Sequence, residues 1–329
     1  MFRMFLRDRK VIIQIDMKKI FIALAALATL AACNKEAAIE TPQGDAIAFG
    51  DAFVDHSTKA IYETANDLQG FTVWGNVANV ALYGTEGATV TRGTAALGAA
   101  WTCSTTRYWT PSSTFNFAAI ANGTGTDCVN GLPTKISYTL NGTAPADLVY
   151  GTAAATTDAS CVPSGSVVTG TGIVSFTLEH LLARVKVQFT NQIAPDYTYD
   201  ITNIKINTAK TGVYTIANAT DEDPATIAWA PSAEKVDLPY TSITGLAVNP
   251  TSAGAQLIIP GAPVVLSFDY VLKLNDTAIY STTVTKTVTT ELAEGNSYNL
   301  NVVLKAGNEI DFTITALTNW TSDTTVDIQ

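Results

Sequence analysis

The sequence predicts an all-β protein. Thr, Val, Ile and aromatic residues dominate its segments, Gly, Asn and Pro punctuate them, and apolar side chains recur at every second position. Many short strands set off by turn signals imply β-sandwiches. Lys135-Ile-Ser-Tyr-Thr-Leu140 alternates and runs into Asn141-Gly142, a hairpin-type turn signal. Ile173–Leu178 alternates, and Arg184–Phe189 does so cleanly, with Val185, Val187 and Phe189 on one face. Ile201–Asn207 is a further half-buried strand. Val264–Leu274 and Ile279–Thr289 form a pair across Asn275-Asp276, and Ser297–Leu304 and Ile310–Leu317 are the closing strands. Helical character is confined to Glu179–Ala183 and Thr64–Leu68.

Alternation through Phe189 breaks at Asn191–Thr198, which contains Pro195, and a new series starts at Tyr199. This places two sandwich domains at 45–192 and 193–329, each of ordinary size. Residues 33–44 are polar with one Pro and one Gly, the composition of a tether.

The start of the chain is an export signal. Lys18-Lys19 precede an apolar run from Ile20 to Ala32, which ends in Leu30-Ala31-Ala32-Cys33. A basic start, a short apolar stretch and small residues before a cut site make a secretory signal peptide over residues 1–32. The run is too short for a membrane span, which needs about 20 apolar residues. A cysteine directly after the Ala32–Cys33 cut is the bacterial lipoprotein pattern, in which the Cys33 thiol carries a diacylglycerol. Met17-Lys-Lys-Ile-Phe is a cleaner n-region than the charged Arg7-Asp8-Arg9-Lys10, so Met17 is the expected start of translation.

The signal segment carries six of the 19 basic and two of the 29 acidic residues, so export shifts the formal charge from −10 to about −14. An acidic, basic-poor surface argues against nucleic acid as a partner, because phosphate binding needs clustered Lys and Arg. It suits an extracytoplasmic protein. Beyond Cys33 there are three cysteines, Cys103, Cys128 and Cys161. The exported compartment permits disulfides. One bridge, most simply Cys103–Cys128, and separate thiols are both compatible with the spacing, which matches no zinc pattern.

Enzyme signals are poor. The two histidines are His56 and His180, and His180 reads as a packed, hydrogen-bonded residue beside Leu181 and Leu182. No G-x-S-x-G, H-E-x-x-H or phosphate-binding glycine loop occurs. Asp221-Glu222-Asp223 lacks a metal-ligand spacing and reads as a solvated acidic loop. Neither a cofactor nor a metal is expected. The aromatic residues Trp74, Trp101, Tyr108 and Trp109 support a second reading, in which a surface lipoprotein stacks glycans on exposed rings without polymerising. Asp276-Thr277-Ala278 and Asp323-Thr324-Thr325 resemble short O-glycosylation sites.

Several segments follow one another in a distinctive order. They begin with Asp67-Leu-Gln-Gly-Phe-Thr-Val-Trp74, then Trp101…Tyr108-Trp109 followed by Phe115-Asn-Phe-Ala118, and then Asp147-Leu148. Val174-Ser-Phe-Thr-Leu-Glu-His180 leads into Ala183–Phe189, and Leu257-Ile-Ile-Pro260, Gly295-Asn-Ser-Tyr298 and Ile310-Asp-Phe312…Trp320 close the set. In this order they resemble the fimbrillin family, the lipoprotein-derived pilins of type V fimbriae. The resemblance runs from about residue 45 to the end.

What it implies is assembly rather than chemistry. It implies two transthyretin-like sandwiches, delivery to the outer membrane by lipid, and removal of an N-terminal strand by a trypsin-like protease. A strand donated by another subunit then fills the opened groove. The removable strand falls near Asp45–Phe53, with Ile47, Phe49 and Phe53 as apolar anchors. The family's cut follows an Arg. No Arg lies between Cys33 and Phe71, so the candidates here are Lys59 and Arg92. Donor candidates are Ile310, Phe312 and Ile314, in a strand that also reads as the last of its own sandwich, and Val326 and Ile328 in the tail. The implied partners are other fimbrial subunits, the outer membrane and host or bacterial surface ligands, and the implied output is adhesion in a fimbrium.

Overall fold

The computed structural model describes residues 44–50, 53–54, 68–93, 101–142, 145–165, 172–216 and 228–317. Within them the chain is built of strands, with one short 3-10 turn at Ala306–Asn308. The first half contributes β1 (Ala48–Phe49), β2 (Phe53–Val54), β3 (Gly70–Val77), β4 (Val80–Ala81), β5 (Ala88–Arg92), β6 (Trp101–Cys103) and β7 (Thr114–Ala121). Then come β8 (Thr124–Thr126), β9 (Lys135–Thr139), β10 (Val149–Thr157), β11 (Pro163–Ser164), β12 (Ile173–Val174), β13 (Thr177–His180) and β14 (Ala183–Asn191). The second half contributes β15 (Tyr197–Ala209), β16 (Thr211–Thr215), β17 (Ala228–Pro231), β18 (Lys235–Pro239) and β19 (Ile243–Leu246). The last are β20 (Thr251–Ile258), β21 (Val264–Leu274), β22 (Thr277–Val288), β23 (Ser297–Leu304) and β24 (Ile310–Leu317).

The N-terminal half is organised on one large sheet in the order β2-β13-β10-β7-β3-β5-β6, with β4 and β11 as short additions. Its central strands are buried on both faces. Along β7, Phe115, Phe117, Ala119 and Ala121 enter one core, while Ala118 and Ile120 enter the other. A run such as Phe117-Ala-Ala-Ile-Ala121 therefore reads as unbroken apolar sequence instead of alternation, as expected of a strand covered on both sides. Trp74 of β3 does the same, leaving Phe71 and Val73 to the opposite face.

The second core lies chiefly between two sheets, β20-β14-β23-β24 and β18-β15-β21-β22. Phe189 of β14 meets Phe268 of β21 edge to face, with ring centroids 5.0 Å apart. Strand β14, and β21 as far as Leu272, alternate between buried and half-buried residues, because one face of each covers this core. The β21–β22 hairpin turns through Asn275 (φ 48°) and Asp276 (φ 62°), two residues that tolerate the left-handed region a type I′ turn requires. That pair, and the antiparallel β23–β24 pair, follow the sequence expectation.

Three expectations change. The boundary at 192/193 would separate β14 from its sheet. Arg184–Asn191 run parallel to Ser297–Leu304, and Ala183–Phe189 pair antiparallel with Thr251–Ile258. The first core takes no residue after Leu178, whereas the second draws on the first half through Trp74, Ala118, Ile120, Ile136, Tyr138 and Leu148 before it takes in Leu181 and the strands that follow. Alternation marks a strand and its inner face, but it does not name the partner strand. Likewise, Asn141-Gly142 does not close a hairpin. Strand β9 pairs back to β8 and across to β16, forming the sheet β17-β16-β9-β8, which crosses the expected domain boundary. Finally, Glu179–Ala183 is not helical: it ends β13, bends at Leu182 and starts β14. In β13, Leu178 and His180 turn inward while Thr177 and Glu179 face out, so burial overrides the local helix preference. Of the other short helical expectation, only Leu68 lies among the described residues, as a buried non-helical residue.

Candidate assembly site

The segment Gly44–Gly50 is laid into the first core from the edge. Its main chain is paired at three points on one side: Gly44 N–H donates to the Trp109 carbonyl at 2.9 Å, Trp109 N–H to the Asp45 carbonyl at 3.1 Å, and Ile47 N–H to the Arg107 carbonyl at 2.7 Å. It then crosses to run parallel to β12, pairing Ala48 with Ile173 and Phe49 with Val174. Gly50 N–H donates to the Val174 carbonyl at 2.9 Å. Strand β2 continues this parallel course, with Phe53 opposite Thr177 and Val54 opposite Leu178 of β13.

Alternation then determines which side chains enter the core. Ile47 and Phe49 are buried, while Ala46 and Ala48 face out. The Phe49 ring stacks on Phe176 at 6.1 Å and meets Phe117 and Phe71 edge to face at 5.9 and 6.4 Å, with Tyr83 at 6.3 Å. These four residues come from different parts of the chain, so no local pattern identifies them as the walls of one socket. Two of the sequence-predicted anchors, Ile47 and Phe49, are thus brought together in one core. For Phe53 the backbone pairing is described.

Gly44 sets how closely the segment approaches. A Cβ there would lie 2.6 Å from the Cys161 Cβ and 3.0 Å from the Trp109 Cβ, neither of which is the movable end of a side chain. Gly44→Ala is therefore expected to cost about 1–3 kcal/mol as overpacking. The reading is a lower urea midpoint at constant m-value. An unchanged midpoint would show that the segment does not sit against Cys161.

The candidate processing positions differ. Arg92 ends β5 and is held within the sheet: it pairs with Trp101, its N–H donates to the Gln69 carbonyl at 3.0 Å, and its guanidinium lies 5.8 Å from the Trp101 ring centroid. Lys59 lies outside the described residues, as do Ala32 and Cys33. No disulfide joins Cys103 to Cys128. Both are free thiols, one donating to the Thr105 carbonyl and the other to the Thr85 carbonyl, and Cys161 is buried in the first core.

Of the donor candidates, Ile310, Phe312 and Ile314 lie on one half-buried face of β24, the edge strand of its own sheet. They pack on the second core, and the Lys286 ammonium lies 5.4 Å from the Phe312 ring centroid. Strand β24 has β23 as its one neighbour in that sheet. Val326 and Ile328 lie outside the described residues.

His180 is a packed residue, as expected. Its Nδ1 lies 2.6 Å from Oδ2 of Asp147, and both side chains are wholly enclosed. Burial pushes the Asp147 carboxyl above its ordinary range, and the hydrogen bond and charge of His180 pull the other way. The pair joins the start of β10 to the end of β13, where Val149 is paired with His180. Enclosed in this way, it cannot reach a substrate.

The aromatic platform is not formed. Trp74 and Trp109 are core residues at 2% and 1% exposure, and Trp101 packs on Phe71 at 5.4 Å. Only Tyr108 of the four is exposed. Rings of this size bury too much apolar area to be left in water when a core lies beside them. Thr277 of the first O-glycosylation-like site begins β22, and the second site lies outside the described residues.

A fimbrillin-like family profile matches residues 56–320. A profile of prokaryotic membrane lipoprotein lipid attachment sites matches residues 17–34, a span that begins at Met17 and contains Cys33. Among solved structures, a fimbrial protein from Bacteroides vulgatus is similar in fold, with a TM-score of 0.54 at 17% identity over 84% of this chain and 99% of that one. A fimbrial assembly protein from Parabacteroides distasonis aligns over 83% of this chain and 97% of its own, at 12% identity and a TM-score of 0.43. The fimbrial anchor protein Mfa2 from Porphyromonas gingivalis aligns over 76% and 88%, at 10% identity and a TM-score of 0.35. No curated protein matches. The family match spans well over half of the sequence, and the chain belongs to the fimbrillin-like family.

Proposed function

We propose that this protein is a structural subunit of cell-surface fimbriae. It is exported as a lipoprotein on Cys33, carried to the outer membrane, and assembled with other subunits by donor-strand complementation to support adhesion. The observation that carries the reading is the seating of Gly44–Gly50. It is held by the burial of Ile47 and Phe49 in the core and by main-chain hydrogen bonds to Arg107 and Trp109 on one side and to β12 on the other. A strand held in this way can be replaced by any strand that offers apolar side chains at the same period. Its removal would leave unpaired backbone and an open aromatic socket.

Lys59 is the favoured cut. It lies between the seated segment and β3, and cleavage there releases the segment while keeping Phe71 in the core. Arg92 is disfavoured, because proteases act on exposed, unpaired chain and Arg92 is strand-paired. Strand β24 is the donor that fits: as an edge strand it can leave by breaking one ladder, and Ile310, Phe312 and Ile314 supply the alternate apolar side chains. Head-to-tail donation does not close on itself, so it builds a filament.

The test is limited digestion of the mature chain with a Lys-specific protease. The expected product begins at Ala60 and forms fibres visible by electron microscopy. A product that stays monomeric after complete cleavage at Lys59 overturns the strand-replacement reading.

A further inference from the structure

We propose that a cleft on the outer side of the C-terminal half, at the bulge in β15, binds a neutral saccharide. The β15–β21 ladder shifts register between Thr202 and Lys205, so that Asn203 and Ile204 together oppose Phe268, with Asn203 exposed and Ile204 turned into the core. Asn203 takes a left-handed conformation, φ 51°. Bulges are over-represented where a sheet re-aims side chains toward a ligand. The bulge here opens a cleft of about 510 Å³. That volume lies within the range of small-molecule sites and suits one or two sugar rings.

The lining specifies the ligand class. Its polar members are Asn203, Lys205, Ser242, Ser267, Asp269 and Thr283. Apolar surface comes from the exposed Pro239 and the half-buried Tyr240, while Ile204 and Phe268 line the floor with their side chains turned into the core. Hydroxyl, amide and carboxylate groups over an apolar base match a sugar, which offers hydroxyls at its edge and C–H groups on its face. The polar groups are already positioned. Thr283 Oγ1 donates to Asp269 Oδ1 and Asn203 Nδ2 to Asp269 Oδ2, both at 2.6 Å. Each carboxylate oxygen keeps a lone pair for a ligand hydroxyl, and the Asn203 amide keeps a second N–H and its carbonyl. These two donors also hold the Asp269 carboxyl below its ordinary range, so it stays ionised.

Charge narrows the class. The cleft presents one carboxylate, Asp269, and one ammonium, Lys205, whose charge is already balanced by Asp237 at 2.6 Å. A phosphate, sulfate or sialic acid would face the unbalanced Asp269 carboxylate. A neutral polyol meets no such penalty. None of these residues belongs to the strand-exchange site. The inference rests on the adhesion reading for its biological setting, not for its chemistry.

The test uses the full mature chain and saturation-transfer NMR with a panel of neutral methyl glycosides and disaccharides, followed by titration of any that respond. At least one neutral saccharide is expected to bind. Asp269→Ala is expected to weaken it at least tenfold, because hydrogen bonds to a charged acceptor are the stronger kind. Asn203→Gly removes the side chain while keeping a residue at ease at positive φ, and should also weaken binding. Asn203 is exposed and Asp269 half-buried, and either substitution removes hydrogen bonds within the cleft, so a cooperative melting transition is measured for both variants to show that they remain folded. They should also form fibres normally, which keeps this inference separate from the assembly reading. Failure of the wild type to bind any panel member overturns it. So does binding that neither variant alters, or a response confined to charged glycans.

Discussion

Phe49→Ala is expected to lower the stability of the mature chain by about 3–5 kcal/mol, the usual cost of emptying a buried aromatic position. Phe49 is 5% exposed and touches Phe71, Tyr83, Phe117 and Phe176, which reach it from two strands and two connecting segments and cannot collapse onto the space together. A change this large is a sizeable share of the net stability of any domain. Equilibrium urea denaturation, followed by Trp fluorescence, measures it. The loss should fall on the first core, where Trp109 reports at 6.2 Å from Phe117. The variant should also release residues 44–50 more readily, seen as faster hydrogen exchange at the Ile47 and Gly50 amides. A fall below 1 kcal/mol would mean that Phe49 does not plug the core, and the strand-replacement reading would lose its main support.

His180→Leu is the second large effect, about 3–5 kcal/mol at neutral pH. It removes one partner of an enclosed pair and leaves the Asp147 carboxyl buried without its imidazole donor. The pH dependence has a definite sign. Burial raises the folded-state acidity constant of Asp147 above its unfolded value, which is near ~3.9. The stability associated with the neutral acid is therefore fully present below the unfolded value and is lost as pH rises through the folded one. In His180→Leu the two contributions that pull the carboxyl down, the hydrogen bond and the charge of His180, are gone. The folded value climbs further, and the deficit against wild type should shrink as pH is lowered from 7 toward 4. Urea titrations at several pH values read this directly. A deficit independent of pH would mean that His180 acts by packing alone.

Much of the fold was legible from alternation. Val264–Leu274, Ser297–Leu304 and Ile310–Leu317 stand as strands where the period of two places them, and Asn275-Asp276 turns where its chemistry says it should. The inward faces were legible too, since Val185, Val187 and Phe189 are all buried. Partnership was not. Arg184–Phe189 looks like the last strand of the first half, yet it is paired on both sides by strands more than sixty residues later. The wrong partner for Asn141-Gly142 has the same origin: a turn signal is local, and β9 finds β16 through Tyr138, Tyr214 and Trp229 packing in one core.

For the candidate site, the sequence by itself determined the export signal with Cys33 and the apolar period of Ile47 and Phe49, because both are properties of adjacent residues. Only the tertiary structure decided that Phe49 meets four aromatic rings, that Trp74 and Trp109 are core residues instead of a surface platform, and that Asn203, Asp269 and Thr283 converge on one cleft. The physical reason is common to all three. Burial and hydrogen bonding between distant strands depend on sheet order and register, and a period of two along one strand carries no information about which strand lies beside it.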